Sequence, residues 1–367
     1  MSSTQPLNTS QIDPDPTQST QWVGITPRLP GRLGRSAWWN EPIPAEPLAA
    51  LRILVGSILL LDQLTTWWPH FASLFGTGST GDPELFAWFF EGSNTHWSVL
   101  RGIGDIHALR LSFGTWVLAT VAMIVGWNTR LATGLVWVLS VSFNNLNLYS
   151  INAGDHICGI LLLYLMITPC AAVWSLDARI SGSTGSRRPE ASRRVVVHPW
   201  AIRLLFIQFA FMYGASGLCK CSGDSWSSGE SLYYVMNDLS LTRFSAQTFP
   251  IPFQLTQIFT WTVLAWEVLF PILIAFRRLR RPALWFGVAM HLNIFLTMDL
   301  GCFPLYVLAA YVPLIWCSHP SGEPTDPFAF LKNVCRTFLS KARCSLASVN
   351  ACSSLQPNEN SQCLSNE

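Results

Sequence analysis

The chain has 367 residues, of which 50% are hydrophobic and 12% are charged. Soluble domains carry about 25% charged residues, so this composition excludes an ordinary soluble protein and indicates a surface that largely faces lipid. The net charge of +2, without a concentrated basic face outside the loops, excludes a nucleic-acid partner. The ten cysteines lack zinc or CxxC spacing, which argues against a metal site or a disulfide scaffold.

The two ends of the chain are polar. Residues 1–44 are rich in Ser, Thr, Gln and Pro and contain no early apolar run, which predicts a disordered cytoplasmic leader rather than a cleavable signal peptide. Residues 318–367 form a mixed tail, with a short surface helix expected over 328–339 and a loose end from residue 350. The intervening residues, 45–317, are the predicted transmembrane domain.

Eight apolar stretches within this domain approach the length of about 20 residues that a membrane-spanning helix needs. The sequence therefore predicts an all-α, polytopic bundle. The last stretch is short and contains Pro304 and Pro313, which are typical of a tilted, broken or re-entrant segment. The stretches cover residues 48–66, 111–127, 131–149, 157–174, 199–218, 255–276, 282–298 and 303–317.

Lysine and arginine are distributed unequally when the eight stretches alternate across a membrane. Seventeen of them fall on the side of the N-terminus, whereas only Arg101, Arg243 and Lys220 fall in the opposite loops. Basic residues concentrate in cytoplasmic loops, so both termini are predicted to be cytoplasmic in a multi-pass protein of the cell membrane. The long aromatic loop at 67–110 is expected to lie on the exoplasmic membrane surface.

Polar residues from four separate segments converge on the exoplasmic half of the predicted bundle. Ionisable groups at such depth are costly unless they are paired or functional, and several helices that bring acid, base and amide groups together can form a site. The residues are Asn144, Asn145, Asn147, Asp155, His156, Lys220, Glu267, His291 and Asp299.

Most of these residues also have an ordinary structural interpretation. Asp155 could cap a helix, and His156 could be an interfacial residue without a role. His291 could only hydrogen-bond a neighbouring helix, and Glu267 could be protonated or pair with His291. Asp62, among the leucines of the first stretch, is interpreted as structural.

Lys220 is the strongest candidate for chemistry. It lies on the side where the sequence otherwise avoids lysine, directly after Tyr213-Gly-Ala-Ser-Gly-Leu-Cys, whose small residues permit close approach of a helix or of a flat ring. A lysine near the end of a span usually extends to the interface. Poor solvation instead disfavours the ammonium, so a neutral Lys220 amine could act as a base.

Three ordered motifs resemble the membrane region of the vitamin K-dependent gamma-carboxylases and their bacterial relatives, the horizontally transferred transmembrane domain proteins. The first runs from Tyr213 through Lys220 and Trp226 to Gly229 and the following Leu-Tyr-Tyr. The second runs from Asn144-Asn145 through Gly-Asp-His at 154–156 to Ser-Leu-Asp at 175–177. The third runs from His-Leu-Asn-Ile-Phe at 291–295 to Gly-Cys-Phe-Pro-Leu-Tyr-Val at 301–307. The similarity extends over about residues 44–316.

The resemblance implies a chemistry and a set of site residues. In the carboxylases a lysine deprotonates reduced vitamin K, and Lys220 lies at the matching position. The oxygenated product removes a gamma proton from a glutamate, CO2 adds, and the quinone leaves as its epoxide. By position, His156 matches a histidine implicated near the family's active centre, and His291 matches another histidine in a later span. The resemblance implies a reduced vitamin K or menaquinol-like naphthoquinone as cofactor, with O2 and CO2 as co-substrates.

The remaining expected site residues surround these three. Asp155 and Glu267 would set protonation states, and Asn145, Trp226 and Tyr213 would help to bind the quinone. Membrane lipid and quinone are expected partners, together with a possible Glu-containing peptide or protein substrate. The active side is expected to be exoplasmic.

This sequence departs from the animal enzymes, which continue into a large lumenal domain that helps to bind their protein substrate. We expect no counterpart of that domain in the residues that follow the last apolar stretch, so quinol epoxidation is expected more readily than carboxylation of a propeptide-bearing protein. Ser225 also lengthens the spacing between Asp224 and Trp226 relative to the family. The alternative is a non-catalytic quinone- or lipid-binding protein or a transporter, although neither inverted repeats nor paired broken helices are evident.

Overall fold

The computed structural model describes residues 21–23, 42–82, 84, 96–184, 195–244 and 250–318. The expectations for the rest of the leader, for the aromatic residues at 85–95 and for the tail beyond residue 318 lie outside these ranges. The described part is a helix bundle, which confirms the predicted all-α membrane fold.

Each of the eight predicted stretches coincides with a helix. The helices are α1 (Glu46–Asp62), which continues as a π-helical turn over Gln63–Trp67, α3 (Ile106–Val125), α4 (Thr129–Asn144), α5 (Ala153–Ile167), α7 (Trp200–Cys221), α10 (Phe253–Ala275), α11 (Arg277–Thr297) and α12 (Phe303–Trp316). Four of them, namely α1 with its π turn, α3, α7 and α10, are long and apolar enough to cross a membrane. The count of eight crossings and the sides of the termini stay predictions.

Short elements connect the long helices. They are α2 (Phe71–Leu74), α6 (Leu176–Thr184), α8 (Asp224–Ser227) and α9 (Ser231–Asn237). Three short strands, β1 (Gln21–Val23), β2 (Ile43–Pro44) and β3 (Val195–Val197), form a small sheet in the order β1-β3-β2. β1 is parallel and β2 antiparallel to β3. Two segments of the expected leader are thus strands, a pairing for which the sequence offered no signal.

The last helix, α12, lies at the centre of the described bundle. It packs against α1, α5, α7 and α11. Val307, Ala310 and Leu314 are fully buried, and Tyr306 and Tyr311 are 1% exposed. Pro304 occupies the first turn, where proline is tolerated, and Pro313 lies near the end, so the helix is continuous rather than broken. A helix that is apolar on every face is typical of such a central position.

The turn between α3 and α4 depends on a glycine. Gly126 ends α3 with φ 77°, in the left-handed region that favours glycine. A β-carbon there would also collide with the guanidinium of Arg52 and with Ser175. Arg52 is fully buried and donates a hydrogen bond from Nη2 to the carbonyl oxygen of Trp174 at 2.5 Å. The arginine thereby connects α1 to the segment that precedes α6.

Asp177, in the first turn of α6, caps the start of α4. Its carboxylate accepts hydrogen bonds from the backbone N–H groups of Asn128 and Thr129, both at 2.8 Å, and from the Thr129 hydroxyl at 2.7 Å. Partial burial alone would raise the pKa of the Asp177 carboxyl, but these hydrogen bonds outweigh burial and hold the pKa below its usual value.

Asp177→Ala should lower the free energy of unfolding by about 1–2 kcal/mol near neutral pH, because it removes a helix cap. The folded pKa lies below the unfolded value of about 3.9, so the contribution of the carboxylate is present above that value and is lost as the pH falls through the folded pKa. Unfolding in mixed detergent micelles, followed by circular dichroism from neutral to acidic pH, measures the difference. Asp224→Ala, at an exposed aspartate, is the control. An equal loss in the control, or a difference that persists in acid, would contradict the capping role.

Candidate functional site

An ion pair between α7 and α10 forms the centre of the candidate site. Lys220 Nζ lies 2.5 Å from Glu267 Oε1, and the Ser216 hydroxyl donates to Glu267 Oε2 at 3.1 Å. The carboxylate side chain is 7% exposed, whereas the lysine side chain is 24% exposed. Glu267 is therefore held by two donors on α7, and the lysine side chain is partly exposed.

The close approach of α7 and α10 explains how this pair forms. Gly217 packs directly on the backbone of α10, where an added β-carbon would lie 2.7 Å from Val268 N and 3.0 Å from the carbonyl carbon of Glu267. Pro271 lies four residues after Glu267 and has no N–H, so the Glu267 carbonyl lacks its usual helical partner. Both residues place Glu267 at an irregular point of α10, directly opposite α7.

Trp226, on the short helix α8, covers the exposed side of the lysine. Lys220 Nζ lies 4.5 Å from the centroid of the indole ring, within range of a cation–π interaction. Gly229, with φ 84°, turns the chain after α8, and the Gln257 and Trp261 side chains of α10 donate hydrogen bonds to the carbonyl oxygens at its end. The indole is thus presented by a segment that is anchored on α10.

A chain of buried hydrogen bonds begins two turns from Lys220 along α7. The Tyr213 hydroxyl and His291 Nε2 are 2.7 Å apart, and the Tyr311 hydroxyl donates to the Tyr213 oxygen at 3.0 Å. Tyr213 packs edge-on against Trp266, the neighbour of Glu267, with ring centroids 4.7 Å apart. His291 is 3% exposed, and its Nδ1 has no hydrogen-bond partner among the described residues.

Gly287 on α11 provides the space for the Tyr311 hydroxyl. A β-carbon at this position would collide with the Tyr311 oxygen and would lie 2.9 Å from the Trp266 ring. The three helices α10, α11 and α12 therefore meet around one glycine. The tyrosine of the central helix can then reach Tyr213.

The structure brings together five of the eight predicted site residues. Lys220 contacts both Glu267 and Trp226, and Tyr213 and His291 form the adjacent chain. Glu267 pairs with Lys220 and Ser216, not with His291 as the sequence also allowed.

The other three predicted site residues lie on the α4 and α5 side. Asp155 accepts from the backbone N–H of Asn152 at 2.8 Å in a capping box that starts α5, and Asn145 donates to the carbonyl oxygen of Trp97 at 2.7 Å. His156 is exposed. Asp155 thus does act as a helix cap, and no contact between these three residues and Lys220 is found within the described ranges. Their predicted roles in catalysis and binding stay predictions.

Sequence reasoning missed Ser216 and Tyr311 as members of the site. Ser216 lies four residues before Lys220, a spacing that places both side chains on one helix face and could have identified it. Tyr311 offered no comparable signal, because it is a single tyrosine in an apolar helix and its partner is 98 residues away.

The arrangement is suited to proton transfer. A carboxylate, an amine and a hydroxyl lie within hydrogen-bond distance in a partly enclosed position, next to an aromatic face. An ion-paired lysine is protonated, so it can take up a proton only after passing its own to a neighbour, and Glu267 is such a neighbour. Within the described ranges, no group of three or more His, Cys, Asp or Glu side chains could hold a metal ion.

The chain matches one family model and one relative. A model of the HTTM domain matches residues 40–319, about three quarters of the chain. The chain is also 28% identical over 312 residues to the uncharacterized protein YitO of Bacillus subtilis strain 168, an alignment that covers 81% of this chain and 92% of YitO. No solved structure matches.

A double-mutant cycle should show that Lys220 and Glu267 are energetically coupled. Lys220→Met or Glu267→Gln leaves one polar partner unmatched, so each should lower the free energy of unfolding by roughly 1–3 kcal/mol, and the double variant should lose less than the sum. Unfolding in mixed micelles provides the measurement.

The exposed pair Arg243–Asp299, with 3.6 Å between its charged atoms, is the matched control. Arg243→Met and Asp299→Asn should show coupling below about 1 kcal/mol, as is typical of surface pairs. Additive losses at Lys220 and Glu267, or equal coupling in both cycles, would contradict a buried pair.

Proposed function

We propose that this chain, which belongs to the HTTM family and so shares the membrane domain of the vitamin K-dependent carboxylases, is a membrane enzyme that oxidises a reduced naphthoquinone with O2. The observation that carries the proposal is the Lys220–Glu267 pair, because it places an amine and its proton acceptor 2.5 Å apart beside an indole face. A quinol is a flat, weakly acidic diol, and a base beside a flat aromatic surface suits it.

The residues present fit such a substrate. Trp226 offers a planar face for an aromatic ring, since offset stacking is favourable between aromatic groups. His291 Nδ1 is a buried polar atom without a partner among the described residues, and a substrate oxygen would satisfy it. Lys220 is the one charged member of the site that is partly exposed, so it can meet a ligand directly.

Lys220 acts as the base in this proposal, and Glu267 takes the proton that Lys220 must release first. Ser216 holds the second carboxylate oxygen and fixes the direction of the first toward the amine. Tyr213, backed by Tyr311, holds His291 Nε2 and leaves Nδ1 to orient the substrate. A quinol gives up two protons and four electrons when it becomes the epoxide, so its reaction with one O2 yields the epoxide and one water.

Carboxylation of a glutamate is the second, finer part of the proposal. In the family this step uses the basicity that oxygenation generates, and it also needs CO2 and a glutamyl substrate. The acceptor for this chain is proposed only by class, as a Glu-containing peptide or protein presented on the exoplasmic side. The site as described supports proton removal from a quinol more directly than the binding of a peptide.

A non-catalytic quinone- or lipid-binding protein is the competing function. One observation favours it, because Lys220 is already matched by Glu267 and by the Trp226 ring, as in a purely structural ion pair. In that case a quinol would bind near Trp226 and would remain chemically unchanged in the presence of O2.

The test is the rate at which purified protein in lipid nanodiscs consumes a reduced menaquinone analogue under O2, with products identified by mass spectrometry. Lys220→Met should slow consumption by about 100-fold or more, the usual contribution of a general base. Lys332→Met, at a lysine of the tail, should react at the wild-type rate. Labelled bicarbonate and a Glu peptide in the same assay show whether carbon is fixed.

One outcome would contradict Lys220 as the base, and another would contradict an enzymatic function. If Lys220→Met formed epoxide as fast as wild type, the base would be another group. If wild-type protein bound the quinol but returned it unchanged, apart from the background oxidation seen without protein, the binding function would replace the enzyme.

A further inference from the structure

A second cavity lies between α7 and α10, on the far side of Pro271 from Glu267. It has a volume of about 420 Å³, and its lining is almost entirely apolar, with a single arginine. The lining includes Phe206, Ala210, Pro271, Ile274, Ala275 and Arg280. Ala275 is exposed, so the cavity is a groove that opens at the surface of the bundle.

Arg280 is held at the polar end of this groove. Its Nε donates to the carbonyl oxygen of Ile274 at 2.7 Å, and its guanidinium carbon lies 5.3 Å from the centroid of the Phe206 ring. Because both contacts fix the side chain, the positive charge stays beside the apolar lining. An apolar groove with a fixed cation at its end matches an amphiphile that carries a negative head.

The positive charge extends beyond Arg280. Residues 277–281 read Arg-Arg-Leu-Arg-Arg, and no acidic residue occurs between Glu267 and Asp299 in the sequence. Arg278 is exposed and Arg281 is half-buried. Like charges at this density repel one another, and an anion beside them would relieve that repulsion.

We propose that the groove between α7 and α10 binds a membrane phospholipid with an anionic headgroup. An acyl chain would lie along Phe206, Ala210 and Ile274, and the headgroup would contact Arg278, Arg280 and Arg281. Basic pockets between membrane helices on the cytoplasmic side bind such headgroups, and the charge distribution predicts this side to be cytoplasmic. The site is separate from the Lys220 pair and does not depend on its chemistry.

The experiment measures lipid retention by native mass spectrometry after release of wild-type protein from nanodiscs with equal phosphatidylglycerol and phosphatidylcholine. Phosphatidylglycerol should be retained preferentially. Each surface arginine contributes about fivefold to the binding of an anionic lipid, so Arg278→Gln/Arg281→Gln should weaken retention by about 25-fold. Ala275→Trp should also reduce retention, because the indole fills the groove without changing the charge.

Arg179→Gln is the matched control, since Arg179 is exposed, has the same predicted side and lies on α6, which does not line the groove. It should leave retention unchanged. If the arginine variants fail to fold, retention by the wild type is measured with and without added salt. Added salt should abolish its preference for phosphatidylglycerol. Equal retention of both lipids, an equal effect of Arg179→Gln, or salt-independent retention would overturn the proposal. A quinol tail in the groove would be insensitive to the arginines and would overturn it as well.

Discussion

The cost of placing charge inside an apolar helix bundle dominates this structure. A lysine on α7 and a glutamate on α10 offset the cost of their burial only if they form an ion pair. Their side chains can pair only if the two helices approach closely. Gly217 makes that approach possible because it lets the α10 backbone come within contact of α7. The pair, the glycine and the covering indole of Trp226 are therefore one unit, and changing any member affects the others.

A second layer of polar groups supports this unit without carrying net charge. Tyr213, His291 and Tyr311 come from three helices and are joined by short hydrogen bonds in a region that is closed to solvent. Such networks rigidify a core where their members are satisfied, and among the described residues only one atom of this network, His291 Nδ1, has no hydrogen-bond partner. The network thus combines side chains that hold one another in place with one nitrogen that is free to hydrogen-bond. Recognition of a polar ligand atom requires this combination.

The sequence predicted the helical fold, because long apolar stretches separated by charged loops have few other solutions. The depth that the sequence assigns to the polar residues stays a prediction. The sequence could not predict their positions around the bundle. Asn145 and Asp155 are engaged in a loop contact and a helix cap, and His156 is exposed. The sequence alone allowed Glu267 to be protonated or to pair with His291, whereas in the structure it pairs with Lys220. Nothing in the sequence indicates the role of Tyr311, because its hydroxyl meets Tyr213, which lies 98 residues earlier in the chain, only in the folded structure.

The central position of α12 has a consequence for how the protein is made. Synthesis proceeds from the N-terminus, so α12, which contacts α1, α5, α7 and α11, is made after all four of them. Until α12 is in place, Tyr213 lacks the hydrogen bond that the Tyr311 hydroxyl donates. The polar site is therefore complete only when α12, the last of the described helices, has packed against the helices that precede it.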